Sequence, residues 1–369
     1  LLTFTQFAPV PKSEFEGIDP LQVQQAPFFQ HPIGCGPFMV EEVNMKNYTI
    51  LAPFDKYYNG VADYKIQLLP SAGDSDPNVV TRAKSGNLDY GYTKMVADVQ
   101  ALEGTPGITV TPIDVRYTRL FYLNKFDKKD GSPAPLADVR VRQALRYAID
   151  METICETLFQ GSAVPANALA PDANLKGGDL NDYNYNPEKA KELLAEANWD
   201  PNTVIKAVYY YTDQATVDLM TAVQAYLADV GIKMEFELVE GDLATILWAA
   251  PADQTNGPRA VDWDICYAAN AALSLHEYYD RYRTGSPTNS HTPEDAELNR
   301  LIDATNASAD VNAQNEAFKE LIKYENENLF TMALYYQPIF LITSDKIGDI
   351  QKGTPQFCIN WDIQNWNVQ

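Results

Sequence analysis

The sequence is poor in the residues that most often carry catalysis or bind metals. Three histidines and four cysteines are spread over 369 residues. Cys35, Cys155, Cys266 and Cys358 lie far apart with no CxxC pair, which argues against a zinc site or a redox dithiol and leaves buried thiols or structural disulfides open. His276-Glu277 followed by Asp280 reads HExxD where a zinc helix needs HExxH, and no third ligand is evident, so neither a metal nor another cofactor is expected. A GxSxG elbow and a Walker loop are both missing. No apolar run reaches the length of a membrane span. Basic residues are few, 28 against 50 acidic ones for a net charge of -22, a field that repels nucleic acid and anionic lipid. The chain opens on Leu1-Leu2-Thr3-Phe4, with neither a start methionine nor a targeting pattern, as a processed or cut piece would.

What is present first suggests, then denies, a phosphate loop. "IGCGPFMVEEV" (33–43) sets Gly34 and Gly36 around a cysteine, but the third glycine is lacking and Pro37 leads into strand-like residues rather than a helix N-terminus. "NYTILAPF" and "YKIQLLP" fit strands of a mixed sheet; "DPNVVTRAKSGNLDYGY" gives a short helix, a turn at Gly86 and a strand. "ITVTPIDVRYTRLFYLN" reads as two strands with Pro112 between them or at an edge.

After a Gly-, Pro- and charge-rich break at 128–138 the texture turns helical. In "DVRVRQALRYAID", Val141, Ala144, Leu145, Ala148 and Ile149 form an apolar stripe, and Arg140, Arg142 and Arg146 are expected on a solvated face. Asn186-Pro187 signals a capped helix start. Residues 203–239 read strand, helix ending at Gly231, strand with Ile232, Met234, Phe236 and Leu238 alternating: a right-handed parallel crossover, hence an α/β lobe. Two more helices follow, one opened by Thr292-Pro293, and the last forty residues return to strands.

Aromatic residues are abundant without catalytic grouping: Tyr209 to Tyr211, Tyr278-Tyr279, Tyr335-Tyr336 and Phe121-Tyr122 span both textures. Most serve packing, and a subset is suited to walling a ligand cleft and giving it hydroxyl groups.

Three motifs in this order, "HPIGCGPFMVEEV", "LADVRVRQALRYAID" and "YNPEKAKELLAEANW", resemble the family 5 extracellular solute-binding proteins of ABC importers, the peptide and nickel type. "TRAKSGNLDYGY" and "TRLFYLN" are similar to two strands of the same family. The resemblance implies an α/β fold like the periplasmic binding proteins (type II, cluster C), with two lobes joined by a hinge. Residues 1–118 would be part of lobe I, 119–335 lobe III, and 336–369 the return to lobe I, the N-terminal portion being absent. It also implies that the glycine turn starts a strand, and it places Cys35 in one lobe with Cys358, leaving a disulfide between them open.

Relatives that bind peptides carry an arginine and an aspartate in the stretch that reads "DWDICYAANAALSLHEYY" here; alignment from Asp264 sets Tyr267 at the arginine and Leu273 at the aspartate. Both charge anchors of an ordinary free-amine peptide are therefore replaced. The resemblance points to a receptor, not an enzyme, that is extracytoplasmic, lipid-anchored and monomeric, and that hands a peptide or peptide-like solute to a membrane permease. Its expected ligand contacts are Tyr92 and Thr93; Tyr267, Ala269, Asn270 and Ser274; and Tyr335, Tyr336 and Gln337. The alternatives are an oligosaccharide or metal chelate in the same fold, a surface adhesion or sensing module, and a hydrolase whose paired carboxylates are hidden among the 50 acids.

Overall fold

The structure is a computed structural model that describes residues 10–44, 46–70, 76–113, 117–170, 175–271, 279, 281–348, 350 and 362–369. The chain divides into two compact units, Leu1–Val115 with Ile339–Gln369, and Arg116–Pro338.

After short 3-10 helices at Lys12–Glu14, Pro20–Gln25 and Pro27–Gln30, the first unit enters strand β1 (Phe38–Asn44) directly from the Gly34–Pro37 turn. No helix N-terminus follows those glycines, so the turn offers no phosphate site. Strands β2 (Tyr48–Pro53) and β3 (Ile66–Leu68) complete an antiparallel sheet, in place of the mixed one expected, with a bulge in β1 between Val40 and Glu42. Helix α1 (Val79–Lys84), the Gly86 turn at φ +72°, strand β4 (Tyr90–Thr93), helix α2 (Val96–Leu102) and strand β5 (Ile108–Ile113) follow as the local signals require.

The second unit holds β6 (Tyr117–Leu123), α3 (Val139–Ala148), α4 (Met151–Thr157), β7 (Val164–Pro165), α5 (Pro187–Glu196), β8 (Val204–Tyr209), α6 (Gln214–Asp229), β9 (Lys233–Leu238), α7 (Leu243–Trp248), β10 (Ile265–Ala271), α8 (Ala296–Ala304), α9 (Val311–Asn328) and β11 (Thr331–Tyr336). Its sheet runs β7-β11-β6-β10-β8-β9. Strand β8 is parallel to both β9 and β10, as the crossover pattern requires, and β6 lies antiparallel between β10 and β11. Alternation along β6 fills two cores. Phe121 and Leu123 pack with Leu145, Leu219 and Val223 of α3 and α6, while Leu120 and Tyr122 pack with Leu301 of α8 and Phe318 and Leu321 of α9. Each fully buried Leu or Phe stabilises by roughly 1.5–3 kcal/mol before entropy is counted.

The Asn186 side chain accepts from Lys189 N and Pro187 fills the first helical position, the expected cap. Two expectations fail. Helix α8 starts under an Asp295 cap that accepts from Leu298 N, and Thr292 is buried upstream of it. Arg142 and Arg146 are 4% and 3% exposed rather than solvated. Arg142 donates to the carbonyls of Leu136, Ala137 and Asn328, and Arg146 to those of Tyr183 and Ala166. The carbonyls left unpaired at the end of α9 explain the first of these, because a buried helix terminus needs donors from elsewhere. Burial pulls both guanidinium groups down, to about 10.

The chain then returns to the first unit as β12 (Ile339–Ser344), which pairs with both β4 and β5, and ends in β13 (Ile347–Gly348) and β14 (Asn367–Val368). Pro112 sits in β5, an edge strand, where a missing N–H does no harm. Within the first unit Ile113 pairs with Ile339, and within the second Thr118 pairs with Tyr336. Cys35 is an exposed free thiol, and Cys358 lies outside the described residues.

Candidate functional site

In the second unit the carboxyl ends of β8, β10 and β11 and the start of β6 share one edge of the sheet, since Tyr267 is opposite Tyr209, and Arg119 is opposite both Ala269 and Tyr335. Carboxyl ends of strands in α/β sheets are where ligands characteristically bind, because loops rather than sheet hydrogen bonds cover them. A bulge between Ala333 and Tyr335 re-aims the end of β11.

On the α3–α6 side of this edge stand Tyr267 and Tyr335, their hydroxyl groups 2.7 Å apart. Phe159 lies 4.4 Å from the Tyr335 ring. Burial holds both phenols well above their usual range. Beside them the Arg119 guanidinium lies over the Tyr211 ring at 4.4 Å and 5.9 Å from the Tyr267 ring. Arg119 is 6% exposed. Stacking on aromatic faces offsets part of the cost of removing a cation from water. Tyr211 is in turn joined to Tyr210, hydroxyl to hydroxyl at 3.0 Å.

The opposite side of the edge is arranged around the 166–170 segment. Thr118 donates to Leu169 O, and Tyr336 donates to Ala168 O at 2.6 Å while the Lys176 ammonium sits 4.4 Å above its ring. Asn270 pairs with Thr118 in register, and Asn270 and Gln337 are both largely buried. The edge therefore brings together Tyr267, Ala269, Asn270, Tyr335, Tyr336 and Gln337 of the expected contacts; Ser274 lies outside the described residues, as do Leu273 and the His276-Glu277-Asp280 motif. Among the described residues no cluster of three or more metal-ligating side chains occurs.

In the first unit, Tyr92 and Thr93 end β4. Tyr92 is 39% exposed, whereas Thr93 is buried and its hydroxyl is engaged, donating to Asp98 at 2.7 Å and accepting from Met95 N. Thr93 thus tethers the start of α2. Sequence reasoning passed over Arg119 and counted Tyr211 only among the aromatic residues from which a cleft wall could be drawn. The alternation of β6 carries a signal for the first: Arg119 shares its phase with the core residues Phe121 and Leu123.

Residues 2–292 match the family described as bacterial extracellular solute-binding proteins, family 5 (middle), and the chain belongs to that family. A putative ABC transporter peptide-binding protein of Brucella ovis is 28% identical over 238 residues, covering 63% of this chain and 43% of its own length. Oligopeptide-binding protein AppA of Bacillus subtilis is 27% identical over 274 residues, covering 68% of this chain and 46% of its own. The chain thus spans less than half the length of these relatives. The structure of that AppA in complex with a nonapeptide superimposes with a TM-score of 0.77 at 20% identity, over 98% of this chain and 72% of that one. NikZ of Campylobacter jejuni in complex with Ni(L-His) gives a TM-score of 0.77 at 17% identity, over 97% and 72%. Both likenesses are of fold.

Proposed function

We propose that the protein is the solute-binding component of an ABC importer, binding a peptide or peptide-like solute and delivering it to a permease without transforming it. The observation that carries this reading is the edge of the second unit's sheet, where aromatic rings, buried amides and the cations Arg119 and Lys176 gather at strand ends in a chain of this family. Tyr267, Ala269, Asn270, Tyr335, Tyr336 and Gln337 are assigned to ligand contact there, with Arg119 and Tyr211 added. Tyr92 is assigned from the first unit, and Thr93 supports it from the same strand. In this reading lobes exchange between open and closed states as solute comes and goes.

Peptide is favoured because the Brucella ovis relative is described as peptide-binding and AppA as oligopeptide-binding. The location proposed is outside the cytoplasm, in keeping with the family's description as extracellular. A lipid anchor and a monomeric state belong to the same proposal, and are read out by detergent partitioning and by light scattering of the intact protein.

The test is mass spectrometry of solute released from the purified intact protein, with a thermal-shift screen of peptides, sugars and metal chelates. One saturable stabiliser is expected, and at a hundredfold excess over its Kd it adds about 2.7 kcal/mol. A protein that retains nothing and responds to nothing in the panel, or that turns over a glycoside or ester substrate, overturns the reading.

A further inference from the structure

The chain contains two Asn-Gly steps, Asn59-Gly60 in the first unit and Asn256-Gly257 in the second, and the fold treats them oppositely. Such a step is chemically labile, because glycine has no side chain to hinder the approach of its nitrogen to the asparagine amide carbon. Both asparagines are exposed. Gly257 is buried, and its N–H donates to Asp253 O at 3.1 Å in a turn where the Asp253 carboxylate also accepts from Asn256 N. Gly60 is exposed, and among the described residues nothing accepts from its N–H. Its φ of +95° is one that few residues other than glycine adopt.

The Asn59-Gly60 step lies against the C-terminal return of the first unit. A Cβ added at Gly60 would stand 2.7 Å from Asn365 Oδ1. The buried Gln364 amide nitrogen donates to Asn59 O at 3.2 Å and to Asp362 Oδ1 at 2.6 Å, so the two oxygens converge on one donor. Tyr64 donates to Ile363 O and completes the clamp. Trp366, further along the same return, packs on the ring of Tyr90 at 5.2 Å, in the strand that carries Tyr92.

We propose that Asn59 is a site of spontaneous deamidation, and that the isoaspartate formed there releases residues 362–366 from the 59–64 loop. The Gly60 nitrogen bonds to Asn59 Cγ, the Cγ–Nδ2 bond breaks, and the Gly60 proton leaves with the amide as ammonia, so that a five-membered imide remains. Water then opens the ring with no change of oxidation state. Opening at Cγ gives aspartate. Opening at the original Asn59 carbonyl carbon breaks its bond to Gly60 N, routes the main chain through Cβ and Cγ, and turns the acceptor of Gln364 into a carboxylate. That charge faces the Asp362 carboxylate across a single amide, and like charges so placed repel. At Asn256 the same attack must first break the bond from Gly257 N to Asp253 O and is retarded.

The experiment incubates the intact protein at mildly alkaline pH, native and in urea, and follows both steps by peptide mapping with isoaspartyl methyltransferase labelling. Native Asn59 is expected to convert at least about tenfold faster than Asn256, the factor that one net hydrogen bond supplies, and in urea the two rates converge. Hydrogen exchange over 362–366 is expected to accelerate in the converted fraction, whereas Asn59→Gln, whose longer side chain disfavours the ring, keeps the segment protected throughout. Equal native rates, a faster Asn256, or a difference that persists in urea overturns the site. Conversion at Asn59 that leaves exchange over 362–366 unchanged overturns the release.

Discussion

The hydroxyl group of Tyr267, in β10, is hydrogen-bonded at 2.7 Å to that of Tyr335 in β11, although β6 runs between their strands. The bond spans a neighbouring strand and ties the edge of the sheet across three positions. Tyr267→Phe leaves the Tyr335 hydroxyl buried without this partner and is expected to cost about 1–3 kcal/mol. The double Tyr267→Phe/Tyr335→Phe variant is expected to cost less than the sum of the single changes. Urea unfolding of all four proteins measures the coupling, and strict additivity refutes it.

Just before β10, Asp264 is wholly buried and paired with the buried Arg259 at 2.6 Å; it also accepts from Lys206 N at 2.9 Å. Asp264→Ala strands a guanidinium out of water and deprives a sheet N–H, so a loss of about 3–5 kcal/mol is expected. A denaturation midpoint close to that of the wild type contradicts the assignment.

His291 is buried among the rings of Tyr122, Trp263 and Tyr282, and neither ring nitrogen has a hydrogen-bond partner. Burial first, then the charges of Lys125 and Arg281, hold its pKa well below the ordinary value of 6.5. Below pH 6.5 the unfolded chain binds a proton that the native ring refuses, so this group's stabilising share is present above 6.5 and is lost as pH falls toward the folded value. The expected slope approaches about 1.4 kcal/mol per pH unit. His291→Leu is expected to flatten the curve between pH 6.5 and 5 in calorimetry; an unchanged slope shows that the ring does not control it.

Thiol chemistry separates the described cysteines. Cys35 is exposed, whereas burial pushes Cys155 up to about 12 and raises Cys266 further. Iodoacetamide at pH 8 is expected to label Cys35 within minutes and to leave Cys155 and Cys266 unmodified until denaturant is added, as peptide mapping reports.

The sequence was most readable where the determinant is local. The Asn186-Pro187 helix start and the strand-helix-strand unit around α6 depend on caps and periodicity within a few residues, and the structure has both. The arginines of α3 were misread because their partners are remote: Asn328 O, which receives Arg142, is 186 positions away. Helix α8 begins later than its Thr-Pro signal because Asp295 offers a side-chain oxygen to Leu298 N, and Thr292 N is instead taken by Asn289. The candidate site shows the same division. Tyrosines at strand ends could be named from the pattern of the strands, but the meeting of Arg119 with Tyr211 depends on β6 and β8 being brought to the same edge by β10.

That placement of β6 governs how the second unit is made. It is the unit's first strand, yet one of its two neighbours is β11, the last, so synthesis must run from residue 117 to residue 336 before the pair can close. Until then the nascent chain presents Leu120, Phe121, Tyr122 and Leu123 along an open strand border. Contacts this distant in sequence carry a large loop-closure cost and form slowly, so the border of β6 stays an open apolar edge until β11 pairs with it.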